Sequence, residues 1–433
     1  MSQTTPHTQE PTSYWVGLDW GKSEHSVAVV NDARQLVETF TVGTDLDGLE
    51  ELKRRLGALG EVRGVAIEAT PYPVVSYLHA EGFALYLINP KVSKNWRAGR
   101  SAAASKNDAL DSHTLAVELS RRHEELEPYA PADPKVEELA GLCQTRRSLV
   151  NQRTALIQRL TQDLNAYHPG ALAFFSDWSS PAAWKFVQKY PTPKKLARAR
   201  KDVLKRFLKR NGIGLKPCWL ERIDKCSQAA RWPAPPNARA LEHEALATAA
   251  QLIALEEHIR RVADEIAQCF EQLPEAKLME SLPGAGQALA PELTAMAAQA
   301  ASKPNRLQAL RPLTGVAPVE DKSGKRRVTK MRRRCRRYWR NTLHLFAQHS
   351  TKYCAWAKAF YELCRQRGDT YATALRKLAD KWLKIINRML AKKQPYDEQR
   401  YIQALRKSRS PVYQRLVEKG LVENPVENSP AKT

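Results

Sequence analysis

The sequence predicts an α/β domain at its N-terminal end followed by two largely helical regions. Three observations carry this. Between residues 14 and 130, short apolar runs rich in β-branched residues alternate with segments of helical period, in the order β-β-β-α-β-α-β-α. From about residue 134 the apolar period changes to seven. The charge changes there as well: residues 1–130 hold about 13 Lys+Arg against about 18 Asp+Glu, so the remainder carries roughly +28.

Composition narrows the class. At 433 residues the chain is long enough for two or three domains with a sizeable core. Its 43% hydrophobic and 27% charged content is that of a globular protein. A net charge of +23 and a pI near 9.8 make a polyanion the expected partner. Seven cysteines, an odd number with no CxxC pair, read as reduced and buried or incidental, neither a zinc site nor a disulfide framework. No signal peptide and no membrane-spanning apolar run is found, so a cytoplasmic protein is expected. Residues 1–12 and about the last dozen are polar and Pro-rich, and are expected to be disordered.

The elements follow in order. YWVGLD (14–19), HSVAVV (25–30) and LVETFTV (36–42) read as a three-stranded meander with short turns. Leu46, Leu49, Leu52 and Leu56 have helical spacing over about 46–59. The strand VRGVAIE ends at Glu68, a helix covers about 73–81, and FALYLIN (83–89) is a further strand. The basic stretch PKVSKNWRAGRSAAASK then leads into a helix carrying Asp108 and Asp111.

In the second half, Val136, Cys143, Val150, Ile157 and Leu164 recur every seven residues, and so do Leu252, Ile259, Ile266 and Leu273. These are two long coiled-coil-like helices that could pair with each other in an antiparallel hairpin or with a second chain. Residues 168–240 between them are basic and Pro-punctuated, with a helix expected over about 194–210. LMESLPGAGQALAPELT (278–294) resembles a helix-hairpin-helix, whose turn can present N–H groups to phosphate. Residues 313–330 read as a Gly/Pro loop containing Ser323, and helices are expected over about 336–349, 354–367 and 371–391.

Four carboxylates stand out. Asp108 and Asp111 are three apart and share a helix face. Alone, such a pair reads as a solvated surface. Asp19 and Glu68, however, end the first and fourth strands, which can be neighbours in this order of elements, and the later helix can lay its two Asp across them. Four converging carboxylates need a cation. Mg²⁺ prefers oxygen ligands, and a two-metal site can serve phosphodiester transfer.

"VGLDWGKSEHSVAVV", "GVAIEATPYPV", "LINPKVSKNWR" and "SKNDALDSHTLA" resemble the RuvC-like DEDD domain of insertion-sequence-110 family transposases. "LMESLPGAGQALA" and "LTGVAPVEDKSGKRR" resemble that family's C-terminal transposase domain. The resemblance implies an RNase H/RuvC-like mixed-sheet catalytic domain, a helical coiled-coil middle and a helical C-terminal domain. It implies that Asp19, Glu68, Asp108 and Asp111 bind Mg²⁺ and that Ser323 is a nucleophile forming a covalent link to DNA. It further implies donor and target DNA as partners, a non-coding bridge RNA as guide, and a homo-oligomer (dimer or tetramer) with composite active sites. Membrane association is not expected; nucleoid association in a prokaryotic cytoplasm is. After the Ser-Gly the family's Lys-Arg-Gly turn is replaced by a glycine-free, arginine-rich run.

The domain plan expected from these readings is a tail (1–13), the DEDD domain (14–130), a helical region with a basic insertion (131–274), the C-terminal transposase domain (275–395), and a helix with a tail (396–433). Lys91, Lys94, Arg97, Arg100 and Lys106 are expected to line the path of the scissile strand. Lys322, Lys325, Arg326 and Arg327 flank Ser323, and with Arg332, Arg333, Arg334, Arg336 and Arg337 they form a nucleic-acid grip, as do the cations of 194–210. Tyr338 and Trp339 either stack on unpaired bases or pack in the core. The rival readings are a related site-specific invertase, a RuvC-type nuclease that uses water, and a non-catalytic RNA- or DNA-binding protein.

Overall fold

The structure is a computed structural model and describes residues 13–68, 72–100, 108–131, 133–301, 303–323 and 326–422. The expected disordered tails (1–12 and the last dozen residues), with Lys106 and Lys325, lie outside the described residues, but for a residue or so at the tail's edge. The fold divides into two compact units, at Pro131/Ala132.

The first unit begins with strands β1 (Ser13–Asp19), β2 (Glu24–Asn31) and β3 (Leu36–Gly43), the expected meander. Helix α1 (Leu46–Ala58) follows, its first turn capped by the Asp45 carboxylate, which accepts from Gly48 N at 2.9 Å. Then come β4 (Glu61–Glu68), α2 (Tyr72–Ala80), β5 (Leu85–Ile88), α3 (Pro90–Arg100) and α4 (Asp108–Arg122). The strand order is β3-β2-β1-β4-β5; β1–β2 and β2–β3 are antiparallel, β1–β4 and β4–β5 parallel. One sheet face, bearing Val16, Leu18, Val27, Val65 and Ile67, packs in one core with Leu49, Leu52 and Leu56 of α1 and Val74, Val75 and Leu78 of α2. The opposite face, with Trp15, Val30, Ala66 and Ile88, packs on Leu115, Ala116, Val117 and Leu119 of α4. One expectation changes: the basic stretch before the two-Asp helix is itself helical as far as Arg100.

The second unit is helical apart from one hairpin. Helices α5 (Pro134–Tyr167) and α11 (Ala238–Glu271) are 34 residues each, about 51 Å long at 1.5 Å per residue. They pair with each other, which settles the choice left open by their heptads. Val136 and Cys143 share a core with Ile266 and Cys269, while Leu160 and Leu164 share another with Ala249 and Leu252, so the pair is antiparallel. An ion pair of 2.6 Å between Arg153 and Glu256 bridges the middle. Between them lie α6 (Pro169–Phe174), α7 (Pro181–Lys189), α8 (Pro193–Ala197), α9 (Lys201–Arg210) and α10 (Pro217–Lys225). These build an aromatic core at one end of the long pair, with Phe174 stacked on Phe186 at 4.4 Å beside Trp184 and Phe207. The single helix expected over 194–210 is two, broken at 198–200. No Pro or Gly marks that break; packing imposes it by seating both Leu196 and Leu204 in one core.

The chain continues through α12 (Ala276–Glu280), α13 (Gly286–Ala298) and α14 (Arg306–Leu313), then strands β6 (Val319–Ser323) and β7 (Arg326–Lys330). It ends with α15 (Arg337–Tyr353), α16 (Ala355–Gln366), α17 (Tyr371–Lys392), α18 (Glu398–Lys407) and α19 (Pro411–Glu418). Within the stretch expected as a Gly/Pro loop, β6 and β7 form an antiparallel hairpin with Ser323 opposite Arg326, while 314–318 stays irregular. Trp339, Phe346, Trp356 and Trp382 are fully buried in the main core. All seven cysteines are free, and five are buried, as expected.

Two histidines, His168 fully buried and His344 half-buried, make this unit acid-sensitive. Burial pushes His168 and His344 down from 6.5 to about 4. Between those values the unfolded chain takes up the protons and the folded chain does not, so stability falls as pH drops through that window. The thermal midpoint should fall from about pH 7.5 to about pH 5, with each histidine costing about 2 kcal/mol at the lower pH. His168→Gln should make that decline shallower in a pH series of melts.

Candidate active site

Strand pairing places the first two carboxylates. β1 and β4 run parallel with Leu18 opposite Ile67, so the next residues along, Asp19 and Glu68, stand side by side at the ends of neighbouring strands. Side chains alternate across a sheet. Leu18 and Ile67 face the α1/α2 core, so Asp19 and Glu68 belong to the face covered by α4. Ser93 of α3 donates to Glu68 at 3.5 Å.

Helix α4 can reach these strand ends because Gly17 has no side chain. A Cβ at Gly17 would lie 2.0 Å from the Ser112 carbonyl oxygen and 2.5 Å from the Ala116 nitrogen. The helix backbone therefore rests directly on β1. Ser112, fully buried, meets Ser26 of β2 with 3.1 Å between hydroxyls. Asp111 is on the same turn and is 4% exposed. Its carboxylate forms an ion pair with Arg97 of α3, which offsets the cost of burying the charge. Asp108 begins α4 one turn earlier; its side chain lies outside the described residues.

The donor set is all oxygen, which suits a hard divalent cation, and the three segments that carry it converge on one sheet face. Among the described residues no group of three or more His, Cys, Asp or Glu side chains is close enough to hold a metal. In this arrangement Asp111 is engaged by Arg97. Gly21 is needed by the chain itself: a Cβ there would lie 2.1 Å from the Glu24 carbonyl oxygen, inside the β1–β2 turn.

The remaining residues fall as follows. Lys91 and Lys94 are exposed on α3, whereas Arg97 is only 27% exposed and turned to Asp111. Ser323 ends β6 beside the turn of the hairpin. The side chains of Arg100, Lys322, Ser323, Arg326 and Arg327 lie outside the described residues. Arg333, Arg334, Arg336 and Arg337 are exposed, and Arg332 donates to the Ala317 carbonyl at 3.4 Å. Trp339 is core, not a stacking platform, and Tyr338 packs edge-on against it at 4.5 Å. The Gly284 turn of the helix-hairpin-helix faces α15: a Cβ there would lie 2.8 Å from Tyr353 Cδ2. That packing and its φ of +79° account for the glycine.

Sequence reasoning missed the supporting contacts. Arg97, expected on the strand path, pairs with Asp111 instead, and nothing in its spacing points there. Glu292, 2% exposed within an apolar helix, accepts from Arg147 at 2.7 Å and from Thr342 at 2.7 Å, tying α13 to α5 and α15. A lone Glu in ALAPELTAMAA was the available signal.

Comparison with known proteins agrees with this layout. Residues 16–169 match a transposase family model for the DEDD transposases of IS110 elements, and residues 276–362 match the transposase IS116/IS110/IS902 family. The chain is 26% identical over 405 residues to the "Mini-circle putative transposase for IS117" of Streptomyces coelicolor, covering 90% of this chain and 97% of that one. It is 26% identical over 388 residues to an uncharacterized 42 kDa protein of insertion element IS900 in Mycobacterium paratuberculosis (87% and 95%). The corresponding IS116 protein of Streptomyces clavuligerus is also 26% identical over 388 residues (88% and 95%). These matches define a DNA transposase. The chain belongs to the IS110 family.

Gly17→Ala tests the seating of α4. The added methyl has no room, and overpacking of this kind costs about 1–3 kcal/mol. Urea unfolding should show that loss, and DNA cleavage should fall with it because Asp111 moves with the helix.

Proposed function

We propose that this transposase cuts and rejoins DNA through a covalent serine–DNA intermediate at a RuvC-like DEDD site, guided by a non-coding bridge RNA and acting as a homo-oligomer. The observation that carries the reading is the adjacency of Asp19 and Glu68 on the face that α4 covers with Asp111. Asp19, Glu68, Asp108 and Asp111 would hold Mg²⁺, which when bound supplies electrostatic stabilisation at a phosphodiester. Arg97 pairs with the buried Asp111 and holds its orientation. RNase H/RuvC-like architecture agrees with the mixed five-stranded order and with the family.

Ser323 is the nucleophile. Its oxygen attacks phosphorus, one P–O bond to deoxyribose breaks, and the leaving DNA oxygen ends as a hydroxyl, taking up a proton to balance the one serine loses. A DNA hydroxyl then attacks the phosphoserine and restores the serine. The number of phosphoester bonds is conserved, so no high-energy cofactor is required. Lys322, Lys325, Arg326 and Arg327 surround that serine in sequence and supply the charge that a phosphate needs. Lys91, Lys94, Arg100 and Lys106 precede the two-Asp helix in sequence and would add to that charge. The exposed Arg333, Arg334, Arg336 and Arg337, with Arg332, extend the grip past the hairpin.

The test is a cleavage reaction with the chain, its element's non-coding RNA, Mg²⁺ and end-labelled junction DNA, resolved on a denaturing protein gel. A labelled protein band should form, and should vanish in Ser323→Ala and in Asp108→Ala. Free cut DNA, unchanged in Ser323→Ala, would identify a hydrolytic nuclease and remove the serine from the mechanism.

A further inference from the structure

Beyond the residues matched by either family model, α17 and α18 enclose a groove of about 530 Å³. Lys381, Lys384, Arg388 and Lys392 line it from α17, and Arg400 and Lys407 from α18. On α17 these cations recur at three- and four-residue steps, so they share one face. The eleven residue steps from Lys381 to Lys392 extend that row over about 16 Å.

The positive charge is largely unneutralised. The one carboxylate in the lining, Asp397, caps α18 by accepting from Arg400 N at 3.0 Å. Lys384 pairs with Asp380 at 3.0 Å. Among the described residues Arg388, Lys392 and Lys407 form no ion pair, and all three are exposed. Burial and the neighbouring Lys384 hold the Lys381 ammonium below its ordinary range, as expected where cations crowd.

The groove is also firmly built. Lys393 takes a left-handed conformation at the end of α17 (φ +51°) and turns the chain towards α18. Tyr396 in that turn accepts from Trp356 Nε1 at 2.6 Å, and its backbone N–H donates to Ser281 at 2.8 Å. Tyr401 packs on Trp356 at 4.5 Å. Both tyrosines are therefore committed to the core, so the groove offers cations without a free stacking platform.

We propose that the α17–α18 groove is a nucleic-acid backbone site, distinct from the Ser323 hairpin and the arginine run after it, which grips successive phosphates without reading bases. Several features support a phosphate backbone as the occupant: a row of cations, no free aromatic, and a length that spans several charges of a duplex carrying one about every 1.7 Å. Clefts lined by one sign of charge concentrate such a ligand. DNA and RNA present the same chemistry, so the probes must separate them.

The experiment uses the full chain and a fourfold variant, Arg388→Gln, Lys392→Gln, Arg400→Gln and Lys407→Gln. Fluorescence anisotropy would give Kd for duplex DNA, single-stranded DNA and duplex RNA between about 50 and 200 mM salt. Neutralisation should weaken at least one probe by tenfold or more and reduce its log–log salt slope by about 3, since each lost contact removes about 0.9 for duplex DNA and about 0.7 for a single strand. The probe that loses its slope identifies the occupant. A charge-preserving set, with Lys and Arg exchanged at the same positions, should keep the wild-type slope. Unchanged affinity and slope for every probe overturns the proposal; so does an equal loss in the charge-preserving set. Paired variants, Arg388→Gln with Lys392→Gln and Arg400→Gln with Lys407→Gln, read out half the effect each if the fourfold variant fails to fold.

Discussion

The contact between Gly17 and the backbone of α4 underlies the whole carboxylate site. A glycine in the middle of a strand is unfavourable by itself. Here it removes the one side chain that would hold the helix off the sheet, and the Ser112 carbonyl occupies the space a Cβ would need. With α4 seated there, Asp111 is brought to the sheet face that carries Asp19 and Glu68. Ser26 and Ser112 then join β2 to the helix by a hydrogen bond, which fixes its rotation about its own axis. A few tenths of an ångström at Gly17 is therefore a positional error at the carboxylates.

Two buried carboxylates are held by ion pairs that join helices: Asp111 has Arg97 and Glu292 has Arg147. Breaking such a pair leaves a buried charge uncompensated, which costs more than the pair contributes. The surfaces behave differently. The α17–α18 groove and the arginines before α15 hold cations with few anionic neighbours, which suits the binding of phosphate. Opposite charges thus appear where position must be held, and like charges where a polyanion is to be met.

Much of the first unit was legible in the sequence because its signals are local. Apolar runs of six or seven residues rich in β-branched side chains, and leucines at 46, 49, 52 and 56, state their own secondary structure. The order of elements also made β1 and β4 plausible neighbours, and their pairing brought Asp19 level with Glu68. The hairpin at 319–330 was hidden by composition: a run of charged residues with a Ser-Gly in it shows little β-branched alternation and reads as loop. The break at 198–200 and the helical character of 90–100 left no turn signal, because packing decided both.

By itself the sequence determined the kinds of element, their order, the carboxylates worth considering and the polyanionic character of the partner, since each depends on short-range periodicity or on summed charge. Only the tertiary structure decided that the two heptad helices pair with each other, that Trp339 lies in the core, that Arg97 serves Asp111, and that cations from α17 and α18 face one groove. Those outcomes depend on which surfaces meet across long stretches of chain. Meeting is governed by shape and the exclusion of water, and neither is written in the spacing of residues along one segment.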